Sequence, residues 1–255
     1  MPQEKLTTTI MDIAKKAGEA IMDIYNNADL SNVVDYKADD SPLTLADKAS
    51  ENVIKPALED LEENYPILSE EGRDISYNER KNWTKFWLVD PLDGTKEFIK
   101  RNGQFTVNIA LIENGFPTMG VIYVPATGVF YVGNENGAFK SIDGKKAPIK
   151  VNKKSNNRIA VRSASHASPE EDILLKKYDV KDSISVGSSL KFCMVAEGQA
   201  DIYYRHGPTM EWDTGAGQAI LEAAGGKVFK GDATLERFNY NRENLLNGSF
   251  LCLGF

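Results

Sequence analysis

The chain is 255 residues long, with 30 basic and 37 acidic residues, a net charge of −7 and 42% hydrophobic residues. That composition is globular and sufficient for one large or two small domains, and its acidic balance argues against a nucleic-acid strand as partner. No apolar run reaches the roughly 18 to 20 residues of a membrane span, residues 1–9 are polar and show no signal peptide, and two cysteines, Cys193 and Cys252, suit a reducing cytoplasm.

Leu6, Ile10, Ile13, Ala17, Ile21 and Ile24 recur at three- and four-residue steps, the apolar stripe of a long first helix that ends within residues 26–29. Residues 37–42 read as a tight polar loop. Thr44 is placed to cap a second helix with Leu45, Ala49, Val53, Ala57 and Leu61 on its inward face, and Pro56 is expected to kink or restart it. Ile67 and Leu68 form a short strand ending in Ser69-Glu70-Glu71-Gly72, and residues 73–81 read as a surface loop. Residues 86–89 are a continuous apolar strand, covered on both faces, that runs into Asp90-Pro91-Leu92-Asp93-Gly94-Thr95.

Phe105, Val107, Ile109 and Leu111 alternate with polar residues, the two-residue period of a half-buried strand. Strands over 118–124 and 129–132 follow, and Asp143-Gly144 marks another hairpin turn. Residues 150–157, polar and basic, are the expected boundary between an N-terminal α+β part (1–152) and a C-terminal α/β part (153–255) of one compact catalytic unit. Beyond it strands at 158–162, 183–186, 201–204 and 250–253 alternate with helices at 169–177, 190–197 and 214–224, the last closed by Gly225-Gly226. The class is α/β, in layers.

Four acids sit where chemistry is favoured: Glu70 and Asp90 at strand ends, Asp93 in the following turn, and Asp213 at a helix start. Acids that converge repel unless a cation or proton intervenes. Two histidines, His166 and His206, leave few ligands for zinc, so metal chemistry falls to carboxylates and a hard cation such as magnesium. Two such ions would clamp a phosphoryl group. If residues 96–100 form a helical turn, the Gly94 and Thr95 N–H groups face an anion. Two residues, not one, separate Asp90 from Asp93, which removes the geometry of phosphatases that form an aspartyl-phosphate. Gly215-Ala216-Gly217 lacks a glycine or alanine at Ile220 and a strand leading into it, so it is no dinucleotide fingerprint.

Taken together, Ser69 to Gly72, Asp90 to Thr95 and Glu211 to Gly217 resemble the inositol-monophosphatase superfamily, whose members are magnesium-dependent, lithium-sensitive phosphomonoesterases. The resemblance implies the αβαβα sandwich shared with fructose-bisphosphatase. Residues 37–47, with Gly187-Ser188-Ser189-Leu190-Lys191-Phe192-Cys193 and Tyr204 to Thr209, are similar to the 3'(2'),5'-bisphosphate nucleotidases of the bacterial CysQ type. That implies removal of the 3'-phosphate of adenosine 3',5'-bisphosphate, giving AMP, by direct attack of a metal-activated water with two or three Mg2+. Carried over, Glu70, Asp90 and the Leu92 carbonyl hold one metal, Asp90, Asp93 and Asp213 a second, and Asp47 and Thr95 take the water's proton. Glu70, Leu92, Asp93, Gly94, Thr95 and Asp213 also surround the substrate. Ser163, His166, Gly187 and Lys191 match positions that contact the nucleotide, with Lys191 for the 5'-phosphate.

The competing readings are an inositol or sugar-phosphate monophosphatase with the same metal site and a metal-dependent nucleotide sensor. The expected setting is cytoplasmic, with peripheral membrane contact and a homodimer left open. Glu70, Asp90, Asp93, Asp213 and Asp47 carry about −5 of charge, which two or three Mg2+ at about +4 to +6 would offset, so the metal-free pocket should repel its own substrate.

Overall fold

A computed structural model describes residues 2–27, 42–72, 74–153, 156–163, 168–231 and 234–255. The first stripe forms α1 (Gln3–Asn27), with Leu6, Ile10, Ile13, Ala17 and Ile21 buried alongside Ala14 and Tyr25. The second helix, α2 (Pro42–Glu59), departs from expectation in three ways. It starts before Thr44, which lies inside it instead of capping it, and it runs through Pro56 as one element. Pro56 is exposed, and so is Asn52, whose carbonyl loses the N–H that proline lacks and can be served by water. Its buried row is Ala46, Ser50, Ile54 and Leu58, whereas Leu45 is 44% exposed. That is a rotation of one residue, about 100°. It lets the buried Ser50 hydroxyl donate to the Pro91 carbonyl at 2.8 Å and so ties α2 to the Asp90–Asp93 segment.

β1 (Ile67–Ser69) pairs in parallel with β2 (Lys85–Asp93). The segment between them is not merely a surface loop. It contains a one-turn helix, α3 (Tyr77–Arg80), capped by the Ser76 side chain. Arg80 is 2% exposed, and its guanidinium donates to Asn241 Oδ1 (3.0 Å) and to the Arg242 (2.7 Å) and Glu243 (2.9 Å) carbonyls. After α4 (Thr95–Ile99), an antiparallel meander completes a seven-stranded sheet in chain order: β3 (Thr106–Glu113), β4 (Phe116–Val124), β5 (Val129–Asn134), β6 (Gly137–Ile142) and β7 (Lys145–Ile149). The expected turn at Asp143-Gly144 joins β6 to β7, both residues having positive φ (50° and 75°), as a tight hairpin requires.

β3 is buried on both faces, not one. Val107, Ile109 and Leu111 meet the α1 and α2 cluster, while Ala110 and Ile112 join the cluster on the opposite side of the sheet. The polar residues of its alternation, Thr106 and Asn108, are themselves buried.

The second sheet holds β8 (Arg158–Arg162), β9 (Val180–Ser185), β10 (Ile202–Arg205), β12 (Lys227–Lys230) and β14 (Phe250–Leu253), in the order β12-β14-β10-β8-β9. β12 was not anticipated, nor was the small ribbon of β11 (Thr209–Met210) and β13 (Leu246–Asn247). The remaining helices are α5 (Pro169–Lys177), α6 (Leu190–Ala196) and α7 (Trp212–Ala223). The predicted glycine stop of α7 is observed: Gly225 has φ 94° and donates to the Glu222 carbonyl at 3.0 Å, and Gly226 donates to Leu221 at 2.9 Å, the double bond of a Schellman end.

α1 and α2 cover one face of the seven-stranded sheet, α6 and α7 lie between the sheets, and α5 covers the outer face of the second, an αβαβα stack. Each interface is a separate apolar cluster, one under α1 and α2, one between the sheets, and one under α5. α7 rides directly on β4 and β5: a Cβ at Gly120 would sit 2.4 Å from the Ala216 carbonyl oxygen, and one at Gly133 would sit 2.5 Å from Ile220 Cα. Among the described residues no helix is long and apolar enough to cross a membrane.

Candidate active site

The parallel pairing of β1 and β2 places Ser69 beside Val89, and the Glu70 N–H donates to the Val89 carbonyl at 3.3 Å. Glu70 therefore leaves its strand next to Asp90. Asp90 is not the end of β2. The strand continues through a register shift to Asp93, which pairs with Thr106, so Asp93 is a strand residue rather than part of a turn. Asp90 Oδ1 accepts the Leu92 N–H at 3.1 Å, folding the bulge back on its own carboxylate. The Leu92 side chain is buried under α1 and α2.

Asp213 arrives from the other side. It is the second residue of α7, whose cap position is Glu211, and its Oδ2 accepts the Met210 N–H at 2.8 Å. There it is close enough to Asp90 for each to bear on the other's ionisation. Glu211 is held by Arg242 and by the Asn241 and Arg242 N–H groups, which anchors the start of α7.

The electrostatics record how crowded these acids are. Burial raises Asp90 well above the usual carboxylate range, and Glu70, Asp93, Asp213 and Asp47 each add to it. Asp213 is raised to about 8, by burial first and then by Asp93. Asp93 is raised by burial, with Lys191, the Ser189 N–H and Asn108 pulling the other way. Asp47, early in α2, is also raised to about 8 by burial, then by Glu70, Glu71 and Glu51. Glu51 escaped the sequence reading although it lies one helical turn from Asp47, a spacing that could have revealed it. It accepts the Ser69 hydroxyl at 2.8 Å. Glu71 is exposed, in line with a residue pointing away from Glu70.

The donor set fits a hard divalent cation, since Glu70, Asp90, Asp93 and Asp213 all offer carboxylate oxygens, and Asp90 and Asp213 are raised by burial and then by neighbouring acids. Among the described residues these acids are not drawn into a closed cage of three or more side chains about one point, as like charges dictate.

Gly94 caps α4 with φ 97°, and Thr95 is the first residue of that helix, as the expected helical turn requires. α2 packs against α4, which brings the elements carrying Asp47 and Thr95 together. No hydrogen bond joins those two side chains among the described residues.

A cleft of about 180 Å³ opens beside the acids. Asp93, Gly94 and Asp213 line it together with Ser163, Gly187 and Lys191, so three of the four expected nucleotide contacts share a wall with the carboxylates. The fourth, His166, lies outside the described residues. Lys191 is 7% exposed, not a surface lysine, and its Nζ donates to the Ser188 carbonyl at 2.6 Å and to Val186 at 3.4 Å. Burial brings its pKa down to about 8 against the pull of Asp93. The cleft also contains Lys96, Glu97, Tyr203 and Arg205, which sequence reasoning missed. Arg205 stands at the end of β10, its Nη2 donating to the Pro208 carbonyl at 3.4 Å and its buried Nε without a partner among the described residues, and an arginine shortly before Gly207-Pro208 was the available signal.

The 3'(2'),5'-bisphosphate nucleotidase CysQ of Escherichia coli (strain K12) is 46% identical over 242 residues, covering 94% of this chain and 96% of that one. A crystal structure of CysQ from Bacteroides thetaiotaomicron superposes with a TM-score of 0.88 at 41% identity, covering 99% of this chain and 98% of that one. The inositol monophosphatase from Anabaena (Nostoc) sp. PCC 7120 superposes at 0.75 with 26% identity, covering 98% and 90%. With the inositol monophosphatase family model also matching residues 2–251, the chain belongs to the inositol monophosphatase family.

Proposed function

We propose that the protein is a magnesium-dependent 3'(2'),5'-bisphosphate nucleotidase that removes the 3'-phosphate of adenosine 3',5'-bisphosphate, giving AMP and inorganic phosphate. The observation that carries this reading is a single cleft holding Asp93 and Asp213 together with Lys191 and Arg205. Acids suited to cations meet one phosphate, and fixed basic groups meet a second. Relatives named for this activity at 46% identity support the substrate class.

Glu70, Asp90 and the Leu92 carbonyl hold one Mg2+ and Asp90, Asp93 and Asp213 another, within a total of two or three. Bound there, magnesium supplies positive charge to the phosphoryl oxygens and acidifies water. The chain's own groups do the rest. Asp47, raised to about 8, accepts the attacking water's proton through the Thr95 hydroxyl, and a cation beside Glu70 draws its pKa towards neutrality. The Gly94 and Thr95 amides lie at the start of α4, where N–H groups lack helical partners and can hold phosphate oxygens. Lys191 offers its remaining N–H to the 5'-phosphate, and Ser163 and Gly187 face the nucleoside; His166, outside the described residues, is assigned to the nucleoside by the resemblance alone. Residues 1–152 thus supply most of the acids and 153–255 supply Asp213 and the nucleotide side, acting as one unit. Two unpaired buried cysteines accord with a cytoplasmic setting.

A second reading, an inositol or sugar-phosphate monophosphatase, draws on one observation: the Lys191 ammonium is already held by two backbone carbonyls. A substrate panel in Mg2+, with and without lithium, separates the two. Adenosine 3',5'-bisphosphate should have the highest kcat/KM against its sulfated form, inositol 1-phosphate and fructose 1,6-bisphosphate. Preference for inositol 1-phosphate would reverse the order of the readings, and no phosphate release from any of them would leave a binding protein.

A further inference from the structure

The loop Gly187-Ser188-Ser189 lies directly over the Asp93-Gly94 corner. A Cβ on Gly94 would stand 3.0 Å from Ser188 Cβ, and one on Gly187 would stand 2.4 Å from Glu97 Cγ, so neither residue can retreat behind a side chain. Three polar side chains hold this contact from behind. Thr106, Asn108 and Ser189 are all at most 3% exposed. The Ser189 hydroxyl donates to Asn108 Oδ1 at 2.9 Å. Its proton is then committed, so at the 2.8 Å contact between the Ser189 and Thr106 hydroxyls it is Thr106 that donates. The Ser189 backbone N–H donates to Asp93 Oδ2. Asn108 Nδ2 is buried with no hydrogen-bond partner among the described residues. One residue thus touches Asp93 through its backbone and β3 through its side chain. Two positions on, Lys191 closes the same loop by donating to the Ser188 carbonyl.

We infer that Ser189 is a positioning residue that, with Thr106 and Asn108, couples the Asp93 carboxylate to the Gly187–Lys191 loop, so that cation binding and distal-phosphate binding reinforce each other. The inference rests on the bisphosphate reading, because only a substrate with a second phosphate engages both ends of the loop. Reciprocity then requires that a distal phosphate tighten cation binding by the factor by which the cation tightens the phosphate.

The test measures the half-saturating Mg2+ concentration at low and at high substrate, for adenosine 3',5'-bisphosphate and for p-nitrophenyl phosphate, which has no distal phosphate. In the unaltered protein the Mg2+ requirement should fall on the order of tenfold more with the bisphosphate than with the simple ester. Ser189→Ala should reduce that excess to within about twofold, with the loss in KM for the bisphosphate exceeding the loss in kcat. Thr106→Val, which lies behind Ser189 and lines no part of the cleft, should shift the excess the same way and serves if Ser189→Ala folds poorly. An undiminished excess in both variants overturns the coupling while the activity stands. No phosphate release from the bisphosphate by the unaltered protein overturns the functional reading, and the coupling with it.

Discussion

Removing the divalent cation should make the fold sensitive to rising pH in a direction opposite to ordinary acid unfolding. A carboxyl whose pKa is raised by folding contributes stability that is complete below its ordinary value and lost as pH climbs through the folded value. For Asp213 that window runs from 3.8 to about 8. Within it the unfolded chain has released the proton and the folded chain has not, so stability falls by about 1.4 kcal/mol per pH unit for one such group. From about pH 5.5 to about pH 7.5 the loss from Asp213 is about 3 kcal/mol, and Asp47 acts in the same window and direction. At about 2 to 4 °C per kcal/mol for a chain of this size, Asp213 alone should lower Tm in a chelator by about 6 to 12 °C over that range, and Asp47 should add to the drop. The assay is thermal unfolding at stepped pH in EDTA and in millimolar Mg2+. Magnesium should flatten the curve, because a cation takes the place of the proton between the acids. Asp213→Asn should be inactive and yet, without metal near pH 7.5, more stable than the unaltered protein by up to about 5 kcal/mol, the loss accumulated over the whole window from 3.8. A Tm in EDTA that is flat or rises with pH would refute the account of these acids as an unbalanced charge cluster.

Lys191→Ala should raise KM for adenosine 3',5'-bisphosphate by about 10- to 100-fold, the worth of a charged hydrogen bond, and change a simple monoester far less. Steady-state kinetics on the two substrates checks it, and equal effects would remove Lys191 from the distal phosphate. Asp93→Asn should lower kcat/KM for every substrate by more than about 100-fold, with partial recovery at high Mg2+, since it takes a charge from the cation site. Gly133→Ala, whose new methyl would meet Ile220 backbone, should cost about 1 to 3 kcal/mol of stability by denaturant unfolding. Arg80→Ala should cost about 3 kcal/mol by the same measurement, because it strands the Asn241, Arg242 and Glu243 acceptors in a buried junction.

Several elements and the four acids at strand ends and a helix start were readable from the chain because they rest on local signals, whereas the layer order came from the family resemblance. A stripe at helical spacing marks α1, a glycine pair stops α7, and acids beside Pro91 and Gly94 mark a sharp bend. What escaped depends on partners distant in sequence. α2 has two usable apolar rows one residue apart, and the hydrogen bond from Ser50 to Pro91 goes with the less apolar of them. The alternation in β3 suggested a wet face, but Thr106 and Asn108 are buried because Ser189 arrives from the second sheet to satisfy them. Arg80 looked like loop charge until residues 241–243, far along the chain, supplied its acceptors. Lys191 and Arg205 enter one cleft only when α6 and β10 pack side by side.

The most direct test of the whole account is phosphorus NMR of adenosine 3',5'-bisphosphate incubated with the protein and Mg2+. The account predicts loss of the 3'-phosphate resonance with equal growth of 5'-AMP and inorganic phosphate, and no reaction in EDTA. Release of the 5'-phosphate to leave 3'-AMP, or undiminished hydrolysis in EDTA, would contradict it.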